Sequence, residues 1–182
     1  MRVKPTTREA AYIAMGAALI AVCSWVSIPT AIPFTMQTFA VCLLAALFGW
    51  KLGLVTVGVW LLLGAVGLPV FAGFKGGLGA LLGVTGGYLL GFVFTALLTG
   101  LFADRLGRKL PALLGGMVLG LVLCYAFGTA WFLLLYARST GPLSLGTALA
   151  WCVLPYLLPD GLKLALAALL TKRLYPILLC KH

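Results

Sequence analysis

The sequence predicts an all-α integral membrane protein: one transmembrane domain over 1–182, six membrane-crossing helices, and both termini on the cytoplasmic side. Three observations carry that prediction. Of the 182 residues, 63% are hydrophobic and 9% are charged, where a soluble globular domain has about 45–50% and about 25%. The apolar residues gather into six runs, and each crossing takes roughly 20 residues, which leaves no room for a soluble domain. The basic residues cluster in alternate breaks between those runs, the pattern that marks a cytoplasmic face. A soluble enzyme, a disordered regulator and a fibrous protein are excluded together.

The first helix is expected at about 9–28. Arg2, Lys4 and Arg8 precede its apolar run, as they would in a secretory signal. The run from 10 to 28 is longer than a signal's apolar core, and Pro29 rather than a small-residue cleavage site follows it, so it reads as a retained membrane helix. Helices two and three are expected at about 36–50 and 52–67. The connection at 49–51 is so short that they must form an antiparallel hairpin. Helix four is expected at about 84–103, helix five at about 111–136, and helix six within 147–173.

Sidedness follows from the charges. One set of breaks holds Arg2, Lys4, Arg8, Lys51, Arg105, Arg108, Lys109, Lys172, Arg173 and Lys181; the other holds only Lys75 and Arg138. Lys163 lies inside an apolar run. The external segments are then 29–35, 68–83 and 137–146. The formal net charge of +10 implies no nucleic-acid partner, because these clusters build no basic face. The five cysteines (Cys23, Cys42, Cys124, Cys152 and Cys180) form no CxxC pair, and the single histidine is His182, so no disulfide framework or zinc site is indicated.

The external segment 67–88 is rich in glycine yet mostly apolar. A solvated linker would be polar, so this segment is expected to fold back on the helices as a lid or cavity wall, where irregular backbone is tolerated at membrane depth. Gly79, Gly83, Gly87 and Gly91 recur every fourth residue. On one helix they would form a groove for close helix packing, with a ligand contact as the alternative. Ala10, Ala14 and Ala18 make a similar ladder on helix one, open either to internal packing or to docking of another membrane subunit.

Charge within the membrane is the sharpest signal. Leu157-Leu-Pro-Asp-Gly-Leu-Lys163 places Asp160 and Lys163 three apart, on one face of a helix. Such residues cost about 2.5–3.5 kcal/mol each to insert and are usually functional. Pro159 is expected to break or start a helix there, and Pro155 to bend the segment before it. The pair could simply neutralise itself. Alternatively, a polar ligand could supply the further hydrogen bonds that two buried ions require: Asp160 could accept from a urea or amide, and Lys163 could donate to a carbonyl or carboxylate. Thr35, Gln37, Thr85 and Tyr88, on the same external side, could complete a polar lining.

Several activities fail on residues. No Gly-x-x-x-x-Gly-Lys-[Ser/Thr] motif occurs, so the chain binds no ATP through a P-loop. Ser24, Ser27, Ser139 and Ser144 lack the setting for intramembrane serine proteolysis, and Asp160 has no acidic partner for aspartyl chemistry. Gly100-Leu-Phe-Ala-Asp-Arg-Leu-Gly-Arg-Lys109 resembles a loop motif of major-facilitator transporters, but it follows the fourth helix of a chain about half their length. It reads as a basic cytoplasmic loop.

Three motifs, in order, resemble one family. Gly67-Leu-Pro-Val-Phe-Ala-Gly73, Gly76-Gly-Leu-Gly79 and Gly83-Val-Thr-Gly-Gly-Tyr88 together resemble the signature of BioY, the biotin-specific S-component of energy-coupling factor (ECF) transporters. Ile32-Pro-Phe-Thr-Met-Gln-Thr-Phe39 resembles that family's first external loop, and Pro159-Asp-Gly-Leu-Lys163 its sixth-helix motif. The resemblance spans about 10–173. Val84 stands where the family usually has proline, Leu158-Pro159 where it has Pro-Gly, and Lys75 where it is usually uncharged; these departures bear on loop geometry more than on ligand class.

The resemblance implies a multi-pass protein of the bacterial cytoplasmic (inner) membrane, surrounded by lipid, that captures biotin near its external side. It implies no enzymatic activity and no cofactor in this chain. Energy would come from two ATPase subunits working through a transmembrane T-subunit, docked on the ladder of Ala10, Ala14 and Ala18. The implied ligand residues are Asp160, Lys163, Gln37, Thr35, Phe71, Leu78, Gly79, Thr85 and Tyr88, with Phe71, Leu78 and Tyr88 suited to biotin's ring. Two alternatives remain at this point: an S-component for another small vitamin, and a structural membrane subunit that binds nothing.

Overall fold

The computed structural model describes residues 6–28 and 33–178. Arg2, Lys4, Cys180, Lys181, His182 and the 29–32 part of the first external segment lie outside them. The described chain is helical apart from one small hairpin and its connections. Among the described residues, four helices are long and apolar enough to cross a membrane: Gln37–Ala65, Gly86–Arg105, Leu110–Ser139 and Leu154–Leu178.

Helix α1 (Thr7–Trp25) starts at a capping box: Thr6 and Glu9 each receive a backbone N–H from the other. That satisfies two donors a helix start leaves unpaired. Its buried stripe is Ile13, Gly16, Ala17, Ile20, Ala21 and Ser24. Ala10, Ala14 and Ala18 are all exposed and lie on the flank between that stripe and exposed Met15, Leu19 and Val22. Internal packing within this chain therefore does not use the alanine ladder. After α1, strand β1 (Ser27–Ile28) pairs antiparallel with β2 (Phe34–Thr35), which delivers the chain to the start of α2.

Helix α2 (Gln37–Ala65) consists of two helical arms that meet at Gly49, whose φ is 80° and ψ 177°. A Cβ placed on Gly53 would lie 2.8 Å from the Cα of Ala45. On a straight helix two residues eight apart are separated by about 12 Å, so the chain has reversed and its two arms pack face to face. Asp104 and Arg108 hold this turn. Asp104 accepts from the Trp50 N–H at 3.0 Å and pairs with Arg108 at 3.2 Å. Arg108 donates to the carbonyls of Ala46 and Leu47 and lies over the Tyr175 ring. The loop that reads as a mere basic connection is a clamp: a carboxylate caps the helix start after the turn, and a guanidinium takes up carbonyls of the arm before it.

The glycine-rich segment folds back on the helices. The indole of Trp25 donates to the Pro69 carbonyl, that of Trp60 to Val70, and that of Trp131 to Gly83. Phe71 inserts against Gly64 and meets Trp60 edge-on. A 3₁₀ turn (Ala72–Phe74) and a short α3 (Leu78–Leu82) follow. The glycine ladder is not on one helix. Gly79 belongs to α3, Gly83 is extended with ψ 177°, and only Gly87 and Gly91 are on α4 (Gly86–Arg105). The reason is steric. The chain turns so tightly into α4 that a Cβ on Gly86 would overlap the Leu81 carbonyl.

Helices α4 and α5 (Leu110–Ser139) interlock through small residues from both sides. Cβ positions on Gly87 and Gly91 point at Trp131 and Cys124, while those on Gly116, Gly120 and Gly128 point at Phe102, Thr95 and Tyr88. Without water to drive helix association, such close approach supplies the packing contacts. The last apolar run is two helices, α6 (Leu145–Cys152) and α7 (Leu154–Leu178). The discontinuity therefore lies at Val153, not at Pro159, which α7 carries in its interior. Pro155 occupies the first turn of α7, where a missing N–H costs nothing.

Candidate ligand-binding site

Asp160 and Lys163, one turn apart on α7, both point inward. They are 4% and 6% exposed. Lys163 Nζ donates to Asp160 Oδ1 at 2.7 Å and to the Thr35 carbonyl at 2.7 Å, and sits 3.8 Å over the Phe34 ring. Tyr125 on α5 donates its hydroxyl to Asp160 Oδ2. Each buried ion thus has hydrogen bonds beyond the pair, as desolvation requires, and the ammonium has an aromatic face as well.

The network continues away from the pair. The Thr35 hydroxyl donates to Gln37 Oε1 at 2.9 Å, Gln37 Nε2 donates to Ser24 Oγ at 2.7 Å, and Ser24 returns to the Ile20 carbonyl. One line of polar contacts therefore ties α1, β2, α2, α7 and α5 together inside an apolar bundle. On the other wall, Tyr88 and Thr129 share a hydrogen bond at 2.9 Å.

These groups surround a cavity. Thr35, Gln37, Thr85, Tyr88, Asp160 and Lys163 all line it, with Leu89, Phe92, Leu121 and Tyr156 among its apolar walls. A second cavity shares Pro33, Ala72, Thr85 and Leu89 with the first, and it is lined by Phe71 and Gly79. Leu78 lines neither cavity and is 62% exposed. Its position on α3 turns it outward, whereas Phe71 is drawn in by the space at Gly64.

Sequence reasoning passed over Tyr125, Phe34, Ser24 and Thr129. Tyr125 did carry a signal: it stands at the middle of α5, whereas membrane tyrosines favour the two interfaces, and a buried hydroxyl needs a partner. Phe34 and Ser24 carried none, since their roles depend on the hairpin and on which face of α1 turns inward.

Chemically, the inner cavity pairs a carboxylate and an ammonium with aromatic and aliphatic walls. A carboxylate accepts about four hydrogen bonds in all, and an ammonium donates three. Two of the acceptor positions and two of the donors are engaged by Tyr125, the pair itself and Thr35. Such a site suits a compact, mostly apolar molecule with a polar head that both donates and accepts.

Comparison with known proteins gives the site its context. The model of the BioY family matches residues 1–179. The chain belongs to the BioY family. It is 42% identical over 158 residues to the biotin transporter BioY of Thermotoga maritima, covering 86% of this chain and 89% of that one. It is 35% identical over 168 residues to the probable biotin transporter BioY of Pyrococcus horikoshii, covering 92% and 96%. Its fold is similar to the crystal structure of the S-component for biotin from an ECF-type ABC transporter, with a TM-score of 0.81, 26% identity and 94% of each chain covered. Family membership agrees with the resemblance that the three sequence motifs carry.

Proposed function

We propose that this chain captures biotin in the cavity at Asp160 and Lys163 and serves its uptake as the substrate-binding subunit of an ECF-type transporter. The observation that carries the reading is the buried ion pair, both of whose members line the cavity. Biotin's bicyclic head presents two urea N–H donors and a carbonyl acceptor beside an apolar thioether ring. The carboxylate of Asp160 takes the N–H groups, Lys163 serves the carbonyl, and Tyr88, Phe92 and Tyr156 pack the ring. Thr35, Gln37, Thr85, Phe71 and Gly79 belong to the same lining, the last two from the outer cavity.

In this reading the chain crosses the bacterial cytoplasmic membrane six times: α1, the two arms of α2, α4, α5 and α7. The termini and the Asp104–Arg108 clamp are cytoplasmic, and the cavity opens to the outside. The alternation of basic residues supports that orientation. The chain hydrolyses no ATP itself; two ATPase subunits supply energy through a transmembrane T-subunit.

Protein purified in mild detergent should bind labelled biotin saturably, with competition by unlabelled biotin and none by thiamine or riboflavin. Folded protein that retains no biotin would refute the assignment, and competition by another vitamin would redirect it.

The docking part has its own support in the exposed face of Ala10, Ala14 and Ala18. Ala14→Trp should abolish co-purification with the T-subunit while leaving biotin affinity of the isolated chain within about twofold, because surface changes away from a site cost little. Intact co-purification of that variant would move the docking face elsewhere.

A further inference from the structure

Among the described residues, Lys75 is the only charged one that lines the outer cavity. It is held on a fixed turn rather than a loose loop. The Phe71 N–H donates to the Lys75 carbonyl at 3.0 Å, and the Gly77 N–H donates to the Gly64 carbonyl at 2.6 Å. The Phe71 ring anchors this turn against Trp60.

The described residues offer this ammonium no counter-ion. The chain has three acidic residues in all. Glu9 caps α1, Asp104 pairs with Arg108, and Asp160 pairs with Lys163. Among the described residues, Lys75 has neither an ion pair nor a side-chain hydrogen bond. The other walls of the outer cavity are glycine, alanine and larger apolar residues, with Thr85 at the junction to the inner cavity. A lone cation beside low-dielectric walls concentrates its field on whatever occupies the space.

We infer that Lys75 forms an anion subsite in the outer cavity and receives the carboxylate of a ligand whose uncharged polar head sits at Asp160 and Lys163. The inference rests on the proposed biotin site and deepens it. It orients the ligand, with the urea at the inner pair and the acidic tail running through the junction at Ala72, Thr85 and Leu89 toward Lys75. A tail of the opposite sense would bring a carboxylate against Asp160, a like-charge contact that disfavours ionisation of both.

The test compares biotin with biotinamide, whose tail is neutral, on detergent-purified wild type, Lys75→Gln and Lys75→Arg. The wild type should prefer biotin by about fivefold, the scale of a partly exposed charge pair. Lys75→Gln should lose that preference and its salt dependence while binding biotinamide as well as the wild type does. Lys75→Arg should retain the preference. Equal affinity of Lys75→Gln and wild type for biotin overturns the subsite and leaves the biotin reading intact. Wild-type protein that is folded and binds neither compound overturns both.

Discussion

Asp160→Asn is expected to weaken biotin binding at least about a hundredfold, and Lys163→Met to do the same. Both side chains are almost fully buried and bonded to each other. In the proposed site each hydrogen bond between the ligand and a charged group is worth about 1.5–3 kcal/mol, and about 2.7 kcal/mol corresponds to a hundredfold. Removing one member of the buried pair also costs about 3–5 kcal/mol of stability, because the other charge is left without compensation. A loss of fold could mimic this, so the double variant Asp160→Asn/Lys163→Met is the deciding arm. Replacing both members of a buried pair by neutral groups is often close to neutral for stability. The double variant should therefore unfold near the wild-type temperature and still fail to bind. Tyr125→Phe should fall between, with a loss of about tenfold, because it deletes one donor to the carboxylate. Wild-type affinity in the folded double variant would show the pair to be structural.

Gly49→Ala is expected to lower stability by about 3 kcal/mol or more, read as a lower unfolding temperature in detergent. Two costs combine. The backbone at Gly49, with φ 80° and ψ 177°, lies in a region that only glycine occupies readily, at about 1–3 kcal/mol for any other residue. A Cβ there would also overlap the two carboxylate oxygens of Asp104. That carboxylate cannot withdraw without releasing the Trp50 N–H and Arg108. Arg108 in turn holds the carbonyls of Ala46 and Leu47, so one methyl group disturbs the whole clamp. Asp104→Ala in the same chain should relieve the overlap but not the backbone cost, leaving the double variant well short of the wild type. A Gly49→Ala protein with an unchanged unfolding temperature would show that the turn can take another shape.

How much of this was legible beforehand differs from element to element. The reversal at Gly49 was visible because a three-residue break between apolar runs permits no other course. The Asp160–Lys163 pair was visible because helix geometry alone places residues three apart on one face, and because charge is conspicuous in an apolar run. The backward fold of the glycine-rich segment followed from its lack of polar groups. The glycine ladder serves helix packing only at Gly87 and Gly91, since a four-residue repeat needs an unbroken helix and Gly83 interrupts it. Proline chemistry points to a break in the last run at Pro159, but α7 accommodates Pro159 in its interior, and it is Val153 that leaves the helical conformation.

By itself, the sequence determined the solvent, the hairpin, the charged pair and, through its three motifs, the family. Tertiary structure alone decided that Tyr125 reaches Asp160, that Lys163 is tied to the Thr35 carbonyl, that Ala10, Ala14 and Ala18 face outward, and that Leu78 leaves the cavity. The physical reason is the membrane itself. In a water-soluble helix the polar face announces the outside and the apolar face the core. In lipid, both faces are apolar, because lipid tails are as apolar as the bundle interior. A hydrophobic pattern can then say that a helix crosses the membrane but not which side of it looks inward, and in this protein the candidate site is made of residues on the inward sides.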